Sequence, residues 1–287
     1  AARYGKGRTP CMKLGSAGHA AAFEPHRLVV FAPGTFTDKK GKIKTHAGVK
    51  RGEAFEQFKI GKPADAIYVT PKEMERAQGI AAALRRADAE RVHPDTGEPL
   101  PLLFGPGVVR EQRIAWERNG RACSSTPDAR LVGVHITDLK VARSGDPERY
   151  PRDAGRQGYQ GQLVMYDEAD AYERTGDHRN VACELYSVVV EPFEPYVVTT
   201  YRMTASAYSS GADLLARWWE MLAACEAVDH WPGYVQAVQD FHVDDPLASM
   251  FGLEPDSAAG DDASDVDTSD PENDNSGAES ADDWSAA

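Results

Sequence analysis

The last 34 residues of the chain, 254–287, constrain its fold most, because they cannot belong to a hydrophobic core. They contain twelve acidic residues and no lysine or arginine. Alanine, serine, glycine, proline and asparagine fill most of the other positions. Such a segment buries too little apolar surface to offset the entropy lost on ordering, so it is predicted to be disordered. The fold must therefore form from the residues before it.

Residues 25–253 are predicted to form a single β-rich globular domain, and residues 1–24 a disordered N-terminus. Hydrophobic residues make up 41% of the chain, which is enough for a full core. No run approaches the roughly 18 apolar residues that a membrane helix requires. The N-terminus lacks the apolar stretch of a secretory signal, and the four cysteines show no CxxC spacing. These features predict reduced thiols and a cytoplasmic protein.

Two local signals are especially clear. Thr70, Pro71 and Glu73 match a helix N-terminus, with a capping box and a proline at the first helical position. The dipeptide Asn119-Gly120 lies between two short β-type segments and is typical of a two-residue hairpin turn. The sequence therefore predicts a helix from residue 71 and a hairpin over residues 112–124.

Most other segments are predicted to be strands. The pattern favours an α+β, β-rich fold, because the strands follow one another instead of alternating with helices. We expect an OB-like barrel or a strongly twisted antiparallel sheet with two main helices. The second helix is predicted from about Gly211 to Val228, with Ser210 as its cap. The predicted strands are 27–32, 55–60, 66–69, 131–141 and 159–166, a long loop covers 143–158, and the runs 181–190 and 196–205 form a hairpin.

Charge is distributed unevenly along the chain. Lysine and arginine exceed acidic residues by 10 over residues 1–144, whereas acidic residues exceed them by 11 over 145–253 and by 12 in the tail. The net charge is −13. A basic N-terminal half favours a polyanionic partner, for which the acidic tail would compete.

The basic residues lie on two predicted β-hairpins that also carry aromatic residues. Single-stranded nucleic acid is bound by cations that follow the phosphates and by aromatic rings that stack on the bases. In the alternative interpretation, the phenylalanines belong to the core and the lysines form a solvated turn. The predicted nucleic-acid-binding residues are Lys39, Lys40, Lys42, Lys44, Lys50, Arg51, Phe36 and Phe58, together with Arg113, Trp116, Arg118 and Arg121 around the second turn.

Patterns typical of catalysis are weak. Neither the G-x-S-x-G nucleophile motif nor a phosphate-binding P-loop is present in the sequence. Carboxylates can hold Mg²⁺ or Ca²⁺, but the one acidic cluster matches neither an EF-hand nor a nuclease spacing. The sequence therefore predicts no catalytic residue, no metal site and no cofactor. That cluster consists of Asp167, Glu168, Asp170, Glu173 and Asp177, followed by His178.

Two resemblances concern the C-terminal part. The acidic terminus, with Trp284 directly after Asp282 and Asp283, resembles the tails of bacterial and phage single-stranded DNA-binding proteins, although three residues follow the aromatic here. This resemblance implies that Asp282, Asp283 and Trp284 bind replication or recombination proteins. A strand ending in threonines and then a helix, from Val198 to Trp218, is similar to phage recombination directionality factors.

These observations favour a non-enzymatic nucleic-acid-binding accessory protein. Its preferred ligand would be single-stranded DNA in phage or mobile-element replication or recombination. The tail would recruit partner proteins and compete with DNA for the basic surface. Two alternatives remain: a protein-interaction adaptor of a recombination or replication complex and, third, a metal-dependent hydrolase.

Overall fold

A five-stranded mixed sheet lies at the centre of the fold. The computed structural model describes residues 10–231, with side chains from residue 13. The strand order in the sheet is β11-β10-β9-β8-β5, and β9 and β10 are parallel whereas the other pairs are antiparallel. The sheet is open, so the predicted barrel is wrong. Its strands are β5 (Val109–Arg110), β8 (Ala129–Leu131), β9 (His135–Val141), β10 (Glu184–Val190) and β11 (Val198–Arg202).

Helices cover both faces of this sheet. On β9, alternate residues point to opposite faces. Leu139 packs in the core formed with α1 (Pro10–Phe23) and α3 (Pro71–Glu90), whereas Ile136 packs with α5 (Tyr159–Thr175). Because parallel strands covered on both faces are buried, β10 is almost entirely apolar and inaccessible. This layered α/β arrangement replaces the β-rich fold predicted from the sequence.

A second group of elements lies between α1 and α3 in the chain. Strand β1 (Leu28–Val30) pairs in parallel with β4 (Ile67–Val69). Between them come a hairpin of β2 (Gly34–Thr37) and β3 (Ile43–His46) and a short helix, α2 (Glu53–Lys59). The predicted strand at 55–60 is therefore wrong: Phe55 and Phe58 share one helical face and pack on Phe31.

The clearest sequence signals are confirmed. Thr70 Oγ1 accepts a hydrogen bond from Glu73 N, and the Glu73 carboxylate accepts one from Thr70 N, which completes the capping box of α3. Strands β6 (Ile114–Arg118) and β7 (Arg121–Ser125) pair across Asn119-Gly120, both with positive φ as a type I′ turn requires. The hairpin of β10 and β11 also forms.

Three predictions from the C-terminal half are wrong. The segment 159–166, predicted to be a strand, is the start of helix α5, and the predicted loop 143–158 contains α4 (Tyr150–Gln157). The two helices meet at Gly158, whose φ of 72° ends α4 in the left-handed region. Helix α6 (Ala205–Ala227) starts earlier than predicted, because Thr204 and not Ser210 caps it.

Helix α1 occupies most of the segment that was predicted to be disordered. The Asp282, Asp283 and Trp284 group lies outside the described residues. Within the described part of the chain, none of the helices combines the length and apolar character needed to cross a membrane.

Candidate metal centre

Three side chains from distant parts of the sequence meet at the edge of the central sheet. His19 Nε2, on α1, lies 3.0 Å from Asp128 Oδ1 and 3.2 Å from Glu111 Oε1. Asp128 directly precedes β8, and Glu111 directly follows β5. The three ligand atoms lie within 4.8 Å of one another, which is close enough for one metal ion to contact all of them.

Helix α1 reaches this position because it packs closely on α3. A side chain at Gly18 would place its Cβ 2.9 Å from the Cδ1 of Ile80, so the absence of a side chain here lets α1 and α3 approach closely. Ile80 itself is fully buried. The close packing sets the depth of α1 over the sheet and thereby the position of the neighbouring His19.

The backbone around the two acids fixes their orientation. Asp128 Oδ2 accepts a hydrogen bond from Leu139 N at 2.6 Å, which leaves Oδ1 for His19. Glu111 has a φ of 53°, a conformation that is uncommon for residues other than glycine and that recurs at functional sites. The loop that leads to Glu111 is anchored by buried Asp88, whose carboxylate accepts hydrogen bonds from the backbone N–H groups of residues 102, 103 and 104.

A third carboxylate and a lysine lie near this group. Asp138 and Lys140 lie on β9 and point to the same face, where Lys140 Nζ lies 2.9 Å from Asp138 Oδ1 and 2.7 Å from Oδ2. Lys140 also donates to Gln162 Oε1 at 3.3 Å, and Gln162 Nε2 donates to the Tyr166 hydroxyl at 2.6 Å. Gln162 and Tyr166 are one turn apart on α5, so the helix holds the lysine against the carboxylate.

The pKa values show that this cluster carries unfavourable negative charge. Burial raises the pKa of Glu111 to about 7, with Asp128 adding to the effect and His19 opposing it. Burial likewise raises the pKa of Asp138 to about 6, although Lys140 counteracts it. Burial would lower the pKa of His19, but the hydrogen bond and charge of Asp128 outweigh it and raise that pKa. A bound cation would relieve the repulsion among these carboxylates.

The donor set fits a divalent cation. Glu111 Oε1 and Asp138 Oδ2 are buried oxygens that accept no well-aligned hydrogen bond from the described residues, although His19 and Lys140 are close to them. The two carboxylates and the imidazole of His19, Glu111 and Asp128 are donors that suit Mg²⁺ or Mn²⁺, and the charge of Asp138 also acts on His19. A cleft of about 330 Å³ bounded by α1, β4 and β9 reaches His19, with Arg27 on its wall. The geometry thus defines a candidate metal site with an adjacent lysine.

The chain belongs to a family whose model matches residues 2–241 and is described as "PDDEXK-like domain of unknown function (DUF3799)". PDDEXK-like domains are restriction-endonuclease-like nuclease domains with an α/β fold. The chain is also similar to a solved structure titled "Putative exonuclease" from Eubacterium rectale. The identity is 13% and the TM-score 0.40, over 70% of this chain and 74% of that one. A search of the curated proteins gives no match.

Family membership corrects the predicted function. The resemblances to single-stranded DNA-binding proteins and to recombination directionality factors are wrong, because the family is nuclease-like. The prediction of a non-enzymatic accessory protein is wrong for the same reason. The third alternative, a metal-dependent hydrolase, is the one that the family supports. A nucleic-acid partner, which the basic half predicted, is consistent with a nuclease-like fold.

The acidic cluster considered in the sequence is structural. Asp170 is fully buried and pairs with Arg130 and Arg174. Glu168 pairs with Arg118 on β6, and Asp167 accepts a hydrogen bond from Cys183 N. Because neighbouring arginines and backbone donors already satisfy these carboxylates, this cluster holds α5 against the sheet.

The lysine-bearing turn is exposed, but the strands that flank it are β2 and β3 and not the predicted 27–32 and 55–60. Asp38 Oδ1 accepts hydrogen bonds from the N–H groups of Lys40 and Lys42, which shapes the turn between β2 and β3. Lys44 pairs with Asp38 at 2.8 Å, whereas Lys50 is half-buried and pairs with Glu73. The exposed basic residues of this region are Lys39, Lys40, Lys42, Lys44 and Arg51.

Four of the predicted contact residues have internal partners instead. Trp116 is 4% exposed and donates its Nε1–H to Ser125, so it cannot stack on a base. Phe58 packs on Phe31 and Tyr68. The guanidinium groups of Arg118 and Arg121 pair with Glu168 and Glu226, and both lie over the Trp219 ring. Two predicted contact residues remain: Phe36 is half-buried beside His46, and Arg113 donates a hydrogen bond to Ser124.

The sequence reasoning missed the site residues, namely His19, Glu111, Asp128, Asp138, Lys140, Gln162 and Tyr166. One signal was present: Asp138-Leu139-Lys140 puts two charges on one face of a largely buried strand, where charge is costly without a function. The i, i+4 spacing of Gln162 and Tyr166 also becomes meaningful once 159–166 is recognised as helical. Nothing local connects His19 to the carboxylates.

Proposed function

We propose that the protein is a metal-dependent nuclease that hydrolyses phosphodiester bonds. The observation that carries the proposal is the convergence of His19, Glu111, Asp128 and Asp138 beside Lys140. Membership in the PDDEXK-like family supports the same chemistry. The arrangement has the parts that phosphoryl hydrolysis needs, namely oxygen ligands for a cation and a cationic donor next to them.

Each group has a distinct role in this proposal. His19, Glu111, Asp128 and Asp138 would hold the cation, which polarises a phosphoryl oxygen and makes water a better nucleophile at neutral pH. Lys140 stays fixed between Asp138 and Gln162. Its ammonium group can donate to the attacking water or to a phosphate oxygen and so stabilise the negative charge that develops there.

Gln162 and Tyr166 position the lysine. Burial is the largest cause that raises the pKa of Tyr166, so its hydroxyl remains protonated while it accepts the hydrogen bond from Gln162. The Gln162 amide is thereby oriented with its oxygen towards Lys140. This keeps the ammonium group on the sheet face that carries Asp138.

The exposed hairpin would bind the nucleic-acid backbone. Lys39, Lys40, Lys42 and Lys44 project from a turn that contributes little to the core, so their charges are accessible to phosphates. Single-stranded DNA is the substrate that we propose for this surface. Recruitment of partner proteins by Asp282, Asp283 and Trp284 and a cytoplasmic location stay predictions.

Cleavage of end-labelled single- and double-stranded oligonucleotides, in EDTA and with Mg²⁺ or Mn²⁺ added, tests the proposal. We expect cleavage only with the metal. Asp128→Asn should abolish cleavage and weaken Mn²⁺ binding measured by calorimetry, because a carboxylate ligand is lost. Lys140→Met should abolish cleavage while retaining Mn²⁺ binding, because its charge serves the reaction.

The matched control is Asp177→Asn, which removes an exposed carboxylate of the acidic segment beyond α5. This variant should cleave and bind Mn²⁺ like the wild type. Cleavage that persists in Asp128→Asn and is lost in Asp177→Asn would show that the metal does not bind at Asp128 and that the acidic segment around Asp177 holds it instead. If no metal supports cleavage of any oligonucleotide by the wild type, the nuclease proposal fails and the adaptor alternative is favoured.

A further inference from the structure

A second cavity, lined mainly by aromatic and apolar side chains, lies close to Lys140. Its volume is about 450 Å³, within the range of small-molecule sites. The rings of Tyr150, Tyr159 and Tyr201 and the side chain of Leu163 contribute to its lining. Polar groups, including Arg202 and Ser210, are also present. A pocket of this character suits a flat, aromatic ligand with polar edges.

Two of the tyrosines are held rigidly. Tyr150 and Tyr201 stack with ring centroids 4.9 Å apart and an interplanar angle of 24°. The Tyr150 hydroxyl is 2.7 Å from Ser187 Oγ, and the Tyr201 hydroxyl donates to Gly145 O at 2.6 Å. Because both ends of each side chain are fixed, little conformational entropy would be lost when a ligand packs against them.

Tyr159 connects this cavity to the metal centre. Its ring contributes to the cavity lining, and Lys140 Nζ lies 4.3 Å from the centroid of the same ring. The cavity and Lys140 therefore both adjoin the Tyr159 side chain.

A third cleft, of about 360 Å³, shares Tyr150 and Tyr159 with the cavity. It carries the basic residues Arg143 and Arg149. Both arginines lie on the segment between β9 and α4, and neither has a carboxylate partner among the described residues. Their charges are thus accessible to a phosphate backbone.

We propose that the tyrosine-lined cavity receives an unpaired nucleobase of the substrate strand, while Arg143 and Arg149 contact the adjoining phosphates. The inference rests on the proposed nuclease function and adds a base-binding pocket for its single-stranded substrate. A base inside a duplex is stacked and paired, so only a single strand or a frayed end could place one there. The enzyme would therefore prefer substrates with an unpaired terminus or single-stranded segment.

Abasic scanning tests the proposal without relying on cleavage. A series of fluorescent 12-nucleotide strands, each with one abasic position, would be titrated by anisotropy in EDTA. We expect one position, or two adjacent ones, to weaken binding by about 5- to 150-fold, the range expected for a lost base–aromatic stack. The phosphates are unchanged in this series, so backbone contacts cannot cause the loss.

Filling the cavity should remove the difference in affinity between intact and abasic strands, which is called the abasic penalty below. Ala207→Phe adds a ring at the cavity wall, so intact strands should bind as weakly as abasic ones. Ala224→Phe, at an exposed position near the other end of α6, is the matched control and should retain the penalty. Tyr201→Leu should also reduce the penalty and Tyr201→Phe should retain it, which gives a second test if Ala207→Phe does not fold.

The outcomes separate the two proposals. Equal affinity for all abasic strands, in a protein that cleaves DNA with metal, would overturn the base pocket and leave the nuclease intact. A clear abasic penalty without metal-dependent cleavage would support the pocket and overturn the nuclease. A blunt duplex bound as tightly as a single strand would also contradict the pocket, and failure to bind any strand would refute both proposals.

Discussion

Replacing Glu111 with glutamine should stabilise the metal-free protein, because the carboxylate is buried beside Asp128. The folded-state pKa of Glu111 is raised from 4.5 to about 7 by this burial. At 1.36 kcal/mol per pH unit, the ionised group costs about 3 kcal/mol of folding free energy once the pH exceeds 7. The His19 contact is already included, since it acts in the opposite direction on the same pKa.

The sign of the pH dependence follows from the direction of the shift. Glu111 is an acid whose folded-state pKa lies above its unfolded value. Its destabilising effect is therefore absent well below pH 4.5 and grows as the pH rises through 7. Glu111→Gln lacks this titration. The free energy of unfolding of the variant should exceed that of the wild type by about 1 kcal/mol at pH 5 and by about 3 kcal/mol at pH 8.

Thermal unfolding in EDTA at these two pH values measures the effect. For a domain of this size, about 3 kcal/mol corresponds to a melting-temperature increase of about 6–12 °C. Glu117→Gln, at an exposed glutamate of β6, is the control and should not change the melting temperature. With saturating Mn²⁺ the wild type should have the higher melting temperature, because it binds the ion more tightly than Glu111→Gln and is stabilised more by it.

A melting temperature of Glu111→Gln at or below that of the wild type in EDTA at pH 8 would refute the reasoning. Such a result would mean that ionisation of Glu111 does not destabilise the metal-free protein. An increase of equal size at pH 5 and pH 8 would also refute it, because the gain would then come from packing and not from ionisation.

Two further predictions concern parts of the fold outside the metal centre. Arg130→Met should cost about 3–5 kcal/mol of unfolding free energy in a denaturant titration, because it leaves buried Asp170 without a main partner. Arg179→Met, at an exposed pair with Asp177, should cost less than about 1 kcal/mol, and equal losses would contradict the argument. His135 is buried, and burial lowers its pKa. The contribution of neutral His135 to the free energy of unfolding should therefore be complete above pH 6.5 and decrease as the pH falls below that value. His135→Gln should flatten the unfolding free energy between pH 7 and 5, and a slope equal to that of the wild type would show that His135 is not its source.

The sequence predicted those elements whose signals are local. The capping box of Thr70 and Glu73 and the Asn119-Gly120 turn each depend on a few adjacent residues, and both form in the structure. Helix α5 was missed because Leu163-Val164-Met165-Tyr166 has the apolar character of a buried strand, while Asp167 and Asp170 hide its helical period. These acids are buried only because backbone donors and arginines from other elements satisfy them.

The central sheet was not predictable from local patterns. Strands β9 and β10 are adjacent and parallel, yet α4 and α5 separate them in the sequence. A parallel pair needs such a crossover, and mistaking its helices for a strand and a loop turned an α/β arrangement into an apparent series of strands. The candidate metal centre shares this limitation, since its residues lie on α1, on β9 and next to β5 and β8, and become neighbours only after the sheet has formed.

The same distribution explains why charge balance suggested a binder and not an enzyme. Lysines on an exposed turn dominate the local charge count, whereas the residues that would perform the chemistry are few and, apart from buried Asp138, half-buried. Their signature is electrostatic cost: Glu111 and Asp138 have raised pKa values, and each retains an oxygen without a well-aligned donor among the described residues. This electrostatic cost next to a fixed lysine is what the proposed cation site would explain. The stability gained by removing Glu111 should therefore be matched by a loss of metal affinity in the same variant.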